Sequence, residues 1–144
     1  MSSETAGSGT ARDLVGRFWN EVWNSPYSMA VFDELVADDF AISTDGHAIE
    51  GKEAFRAWLQ TFQSEIGHLE TVPEAILVPE DGRHVSTRMR VSGFNNGLFG
   101  TEPDQVPVDF VAISVMEVRD GQLAYHWVER SAFEIHQRLT AKDS

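Results

Sequence analysis

Cysteine is absent from all 144 residues, so disulfides, thiolate catalysis and Cys-ligated zinc or iron–sulfur centres are excluded. Basic residues are scarce: 11 Lys and Arg stand against 23 Asp and Glu, a formal net charge of −12. That balance repels phosphate backbones and argues against nucleic acid as a partner. No apolar run approaches the roughly 20 residues that span a bilayer, so no membrane partner is expected. Residues 1–10 are small and polar and lack the apolar stretch of a signal peptide. The simplest expectation is a soluble, cytoplasmic protein. No two histidines show H-x-x-x-H spacing, so no metal site is expected. What is present is ordinary for a globular chain: hydrophobic residues make up 42%, enough at this length for one domain with one core.

Residues 1–10 read as a mobile tail, 11–139 as a single domain and 140–144 as a second tail. From Ala11 the pattern is helical, with Leu14, Val15, Phe18, Trp19 and Val22 on one face. Asn24-Ser25-Pro26 ends this helix, because the residue before proline disfavours the α region. A second helix is predicted over 28–36, with Val31, Phe32, Leu35 and Val36 inward. Residues 40–43 suit a short strand and 44–50 a loop. A third helix over 51–65 carries Phe55, Trp58, Leu59 and Phe62 at helical spacing.

After Gly67 the chain is nearly all strand: 69–78, 84–93, 106–118 and 122–135, with an irregular connection over 93–105. Asp81-Gly82 and Asp120-Gly121 are hairpin signals, since glycine tolerates positive φ. Three helices followed by an antiparallel meander give an α+β domain, a curved sheet covered on its concave side and able to leave a conical cavity. In the last strand Leu123, Tyr125, Trp127, Glu129 and Ser131 alternate with Ala124, His126, Val128 and Arg130. Side chains two apart share a face, so an aromatic row ends in a carboxylate and a hydroxyl. We expect that row to look into the cavity.

Several short pieces carry a resemblance across residues 11–139. They are Trp23-Asn24, Leu35-Val36-Ala37-Asp38-Asp39-Phe40, Gly51 followed by Phe55, Ser92-Gly93 with Gly97 and Gly100, Asp120-Gly121-Gln122-Leu123 leading to Trp127, and Gln137 with Leu139. In this order the chain resembles the nuclear transport factor two-like superfamily, and within it the SnoaL-like polyketide cyclase group. The resemblance implies a cone-shaped α+β fold with a curved antiparallel sheet (cystatin-like), a homodimer formed through the sheet, and no organic cofactor or metal. It also implies cyclases, isomerases and epoxide hydrolases acting on apolar rings, alongside non-catalytic binding proteins. The cyclase group places an acid/base Asp four residues after the strand Trp, where this chain has Ser131. Ketosteroid isomerases place their base near the end of the first strand, where this chain has Thr44 and Asp45. Neither activity transfers residue for residue.

Glu129 is the first candidate for general acid or base, because burial beside Trp127 would raise its pKa toward neutrality. The competing reading is an ion pair with Arg88 or Arg90. Arg88 is a candidate for holding a substrate carboxylate or enolate, against a solvated outer face or a dimer-interface stripe for both arginines. Asp45, His47 and Ser131 are candidates for complementary polar contacts, although Asp45-Gly46 is also an ordinary turn. Trp127, Tyr125, Phe110, Trp19 and Trp58 are candidates to hold a flat ligand, and Tyr27 to donate into the mouth. His126 is placed on the opposite face, at a dimer contact or in solvent. The expected function is a cofactor-independent cyclase or isomerase acting by proton transfer on an apolar, polyketide-like intermediate. The alternatives are epoxide opening by Glu129 with Asp45, or a non-catalytic small-ligand-binding module.

Overall fold

The computed structural model describes residues 11–44, 46–130 and 132–141. The tail at 1–10, Asp45, Ser131 and residues 142–144 lie outside the described residues. Helix α1 (11–23) opens the chain and widens to π winding over Phe18–Trp23. It buries Val15, Phe18, Trp19, Val22 and Trp23. Its end is fixed by Asn24, whose backbone N–H donates to the Trp19 carbonyl at 3.1 Å. The Asn24 amide also donates to the Thr71 carbonyl and accepts from the Thr71 N–H, each at 2.7 Å. One residue thereby ends a helix through its backbone and, through its side chain, satisfies a backbone pair on an outer strand that would otherwise be open.

Helix α2 (Met29–Leu35) is capped by Ser28, whose hydroxyl accepts from the Val31 N–H at 3.1 Å. Helix α3 (Lys52–Glu65) buries Phe55, Leu59 and Phe62 at i, i+4 and i+7. Arg56 ties α2 to α3 by pairing with Asp33 and Glu53 and lying 4.7 Å over the Phe32 ring. Phe18, Phe32, Phe40 and Phe55 are all fully buried. Each such ring stabilises the fold by about 1.5–3 kcal/mol through area removed from water.

Six strands form one sheet: β1 (Val36–Thr44), β2 (His47–Glu50), β3 (Ile66–Leu77), β4 (His84–Asn95), β5 (Pro107–Arg119) and β6 (Gln122–Arg130). Their order is β2-β1-β6-β5-β4-β3. The α+β class and curved sheet agree with expectation. Three details do not. Strand β1 runs parallel to β6, so the sheet is mixed. Residues 47–50, expected as loop, form an edge strand paired to β1. Strand β6 stops at Arg130, and residues expected as strand and tail form helix α4 (Ala132–Ala141). Ile135 and Leu139 are both buried; four residues apart, they share a helix face but on a strand would merely continue an alternation. No helix among the described residues is long and apolar enough to cross a membrane.

Gly93 lets β3 and β4 approach each other where the sheet bends. A Cβ there would sit 2.4 Å from Ile66 Cγ2 and 2.6 Å from the Gly67 carbonyl, so no larger residue fits. Asn95 organises the connection that follows. Its carbonyl oxygen accepts from the Leu98 N–H at 2.8 Å, and its NH2 donates to the Glu102 carbonyl at 2.9 Å.

Candidate active site

The turn at Asp120 (φ 52°) and Gly121 (φ 76°) is the two-residue hairpin expected from the sequence. It pairs Arg119 with Gln122 and Val118 with Leu123. A regular ladder would continue with Met116 opposite Tyr125 and Ser114 opposite Trp127. Instead the register shifts by one: Glu117 pairs with Tyr125, Met116 with His126, Ser114 with Val128 and Ala112 with Arg130. One extra residue, Ala124, is absorbed as a β-bulge, which turns over every later side chain of β6. The row facing the helices is therefore His126, Val128 and Arg130.

Between that inner face and the helices lies a cavity lined by Trp19, Trp23, Trp58, Phe62, Met89, Val91, Phe110, Ala112, Val128 and Arg130. The space open to the centre of a water-sized sphere is ≈ 10 Å³. That holds about one water and no aromatic ring. Beside this space Trp58 and Phe62 stack at 5.7 Å and 2°, and Trp23 lies 6.2 Å from Trp58. The apolar cavity expected from the sequence is present at this small size.

Arg130 occupies the half-buried rim. Its guanidinium carbon lies 5.5 Å from the Trp58 ring centre, 5.2 Å from Phe62 and 5.1 Å from Phe99, within cation–π range of all three. Glu65, at the end of α3, is the carboxylate whose acidity senses this arginine. Burial pushes its pKa above the ordinary value, and the charge of Arg130 pulls in the opposite direction. Deeper in, His126 is fully buried, edge-on to Trp19 at 5.9 Å and to Trp23 at 6.1 Å. Burial alone pushes its pKa down to about 3, so the ring is neutral.

The sequence candidates separate into two groups. Trp19, Trp58 and Phe110 line the cavity. Glu129 does not: it is exposed on the outer face, as is Trp127 at 41%. Tyr125 packs on Trp127 at 4.3 Å, also outside. The correction has a single cause, the Ala124 bulge, which exchanged this row with that of His126. Arg88 is on the outer face, its Nε 3.1 Å from Glu74 rather than Glu129. Arg90 pairs with Asp109 at 2.8 Å on the same side. His47 is exposed on edge strand β2. Tyr27 lines an open surface groove with Asn24, Ser25, His68, Leu69 and Glu70 instead of the cavity. Asp45 and Ser131 lie outside the described residues.

The sequence pattern of the SnoaL-like domain matches residues 15–126. The chain belongs to the SnoaL-like domain family. It is similar to a protein named as a SnoaL-like polyketide cyclase from Jannaschia sp. CCS1, at 22% identity over 92% of this chain and 93% of that one, with TM-score 0.84. TsrD from Streptomyces laurentii is 21% identical over 92% and 96% of the two chains, with TM-score 0.77. IdmH from Streptomyces antibioticus, named as a polyketide cyclase, is 22% identical over 90% and 97%, with TM-score 0.75. At these identities the likeness is one of fold. No curated protein sequence gives a significant match.

Three residues of this SnoaL-like chain escaped the sequence reading: Glu65, His126 and Arg130. For Glu65 a signal existed, because it follows Trp58 and Phe62 at helical spacing and so shares their face. For His126 and Arg130 none did, since an unbulged hairpin with Phe110 inward puts both outside.

Proposed function

We propose that this SnoaL-like protein is an enzyme that rearranges a small, planar, enolisable ligand by proton transfer, as a cyclase or isomerase working inside the cell and without a cofactor. The observation that carries the reading is the position of Arg130, a permanent cation held over three aromatic faces at the rim of an aromatic cavity. A guanidinium so placed offers planar donors to a carboxylate or to the oxygen of an enolate as charge develops. Glu65 feels that charge, and burial holds its carboxyl above the ordinary value, the direction a proton-transferring acid needs. Arg130 now covers ring faces that a flat ligand would use. Entry of an anionic ligand draws the guanidinium off the rings and into an ion pair, and the rings then close on the ligand instead.

The test is exchange of the acidic C–H hydrogens of 2-tetralone for deuterium, followed by NMR. The wild type accelerates exchange over buffer, and Glu65→Gln loses at least about tenfold of that acceleration. An unaccelerated wild type, or a Glu65→Gln variant as fast as wild type, overturns the reading. The epoxide-opening alternative in its Glu129 form loses its acid, because Glu129 faces away from the cavity. The second reading is a non-catalytic binding module, favoured by Ser131 standing where the cyclase group has its Asp; it wins if ligands bind but the exchange rate is that of buffer.

We also propose that a second copy of this chain covers the outer sheet face. That face exposes Ile113 at 57%, Leu77 at 67% and Trp127, beside Arg88, Arg90, Glu74 and Asp109. An apolar stripe flanked by both charge signs is self-complementary under two-fold symmetry. Light scattering should give a dimer for the wild type and a monomer for Ile113→Glu; a monomeric wild type ends the idea.

A further inference from the structure

The cavity behind Arg130 holds about one water, so anything larger must move a wall. The inner walls resist. Trp19, Met89, Val91, Phe110 and Ala112 are at most 5% exposed, and a close-packed core yields only by losing contacts. The rim is different. Trp58 and Arg130 are half-buried there. The Arg130 guanidinium rests against Trp58 and Phe62 of α3 and against Phe99, 5.1 Å from its ring centre. Phe99 is not among the residues that line the cavity. It comes from the turn after β4 and bears on Arg130 alone of the lining residues with a charge.

The backbone of that turn is unusual. Phe99 stands at φ 55° and ψ 32°, in the left-handed region, between Gly97 at φ 96° and Gly100 at φ 76°. A bulky side chain adopts that region at a cost and keeps it where its surroundings impose it. Glycine accepts either sign of φ. Two asparagines supply the surroundings here. Asn95 is fully buried; its carbonyl oxygen accepts from the N–H groups of Gly97 at 3.2 Å and Leu98 at 2.8 Å, and its NH2 donates to Thr101 Oγ1 at 3.1 Å. Asn96 fastens the start of the turn to the end of α3. Its backbone N–H donates to the Glu65 carbonyl and its side-chain NH2 to the Ser64 carbonyl, both at 2.9 Å. Leu98, fully buried, seats the turn in the core. Both sides of Phe99 are thus held, while Phe99 is half-buried and Gly100 exposed.

We propose that Phe99 is a latch on this cavity. With the turn left-handed, its ring pins Arg130 over Trp58 and Phe62. When Phe99 returns to negative φ, Gly97 and Gly100 absorb the change and the ring leaves. Arg130 then loses one of its three aromatic contacts and swings clear of the rim. The strain at Phe99 lowers the cost of release, and the Asn95 and Leu98 anchors confine the movement to Phe99 and Gly100. The latch controls access to the site read above as a ligand site; its purpose rests on that reading, and its motion does not.

Acrylamide quenching of tryptophan fluorescence in the ligand-free, full-length protein tests it. Three of the four tryptophans line the cavity, and Trp127→Phe removes the fourth, which is on the outer face. In that background Phe99→Ala should raise the quenching constant at least about twofold, because local opening admits the quencher. Gly100→Ala should raise it too. A Cβ at Gly100 meets nothing within 4 Å, so this variant acts only by disfavouring the left-handed closed turn, by about fivefold or more in the opening equilibrium. Phe94→Ala removes an exposed ring beside Asn95 and should change nothing. Quenching at the wild-type level in both Phe99→Ala and Gly100→Ala overturns the latch. So does a rise in only one of them, which separates the ring from the hinge, and so does a rise in all three variants, which is general loosening. Deuterium exchange of 2-tetralone judges the ligand reading separately: an unaccelerated wild type removes that reading, while the latch stands or falls on the quenching.

Discussion

Strand β6 carries two rows of side chains with opposite fates. Tyr125, Trp127 and Glu129 look outward; His126, Val128 and Arg130 look into the helices. The outer row is the more aromatic and ends in the more suggestive carboxylate, yet it is the inner row that meets Trp19, Trp23 and the cavity. Hydrophobic content therefore does not tell the two faces of this sheet apart. Val111, Ile113 and Val115 make the outer side of β5 as apolar as Phe110, Ala112 and Met116 make the inner side. A sheet that is greasy on both sides has lost the alternation that ordinarily tells inside from outside.

The strongest way to break the comparison is to place the same charge in each row. Val128→Asp buries a carboxylate without a partner and should cost at least about 4 kcal/mol. Trp127→Asp, at a protein concentration that keeps the chain monomeric, should cost no more than about 2 kcal/mol, mainly its packing on Tyr125. Urea denaturation reads both, and equal losses would mean that the faces have been exchanged.

A smaller effect sharpens the comparison through protons. The folded pKa of His126 is about 3, below its ordinary 6.5. As pH falls the unfolded chain takes up this proton first, so the stability it concerns is complete above 6.5 and declines toward 3. The slope is about 1.4 kcal/mol per pH unit, or about 2 kcal/mol between pH 6.5 and 5. Glu65 works in the opposite sense, because its raised pKa makes the folded state the earlier proton acceptor. The comparison of wild type with His126→Phe isolates the histidine: the variant's stability should fall less over this window. Parallel curves would contradict a buried neutral ring. Asp81, lowered to about 2 by the Arg83 N–H and by His84, contributes only below its ordinary 3.8 and leaves the window clear.

The smallest effect is a near absence. Glu129→Gln should change stability by no more than about 0.5 kcal/mol, as for other exposed substitutions, and should leave 2-tetralone exchange at the wild-type rate. A collapse of exchange in Glu129→Gln with none in Glu65→Gln would restore the outer row as the reacting one.

Most of the architecture was legible in the residues because it depends on local chemistry. Phe55, Leu59 and Phe62 repeat at the spacing of a helix, and Asp120-Gly121 accepts the positive φ angles of a tight hairpin. The helix over 132–141 was not legible, because Ile135 and Leu139 offer too few apolar positions to set its period against that of a strand. The site suffered more. Trp19, Trp58 and Phe110 were placed inside, and Glu129, Trp127 and Tyr125 were misplaced with them.

The chain's own order of residues thus determined where helices begin, where hairpins turn and that an aromatic core must form. Those outcomes are settled within a few bonds or by composition. Which face of β6 meets that core was decided only in three dimensions. One extra residue, Ala124, can be absorbed beside the turn at little cost, and the packing of His126, Val128 and Arg130 under the helices selected that register over the regular one.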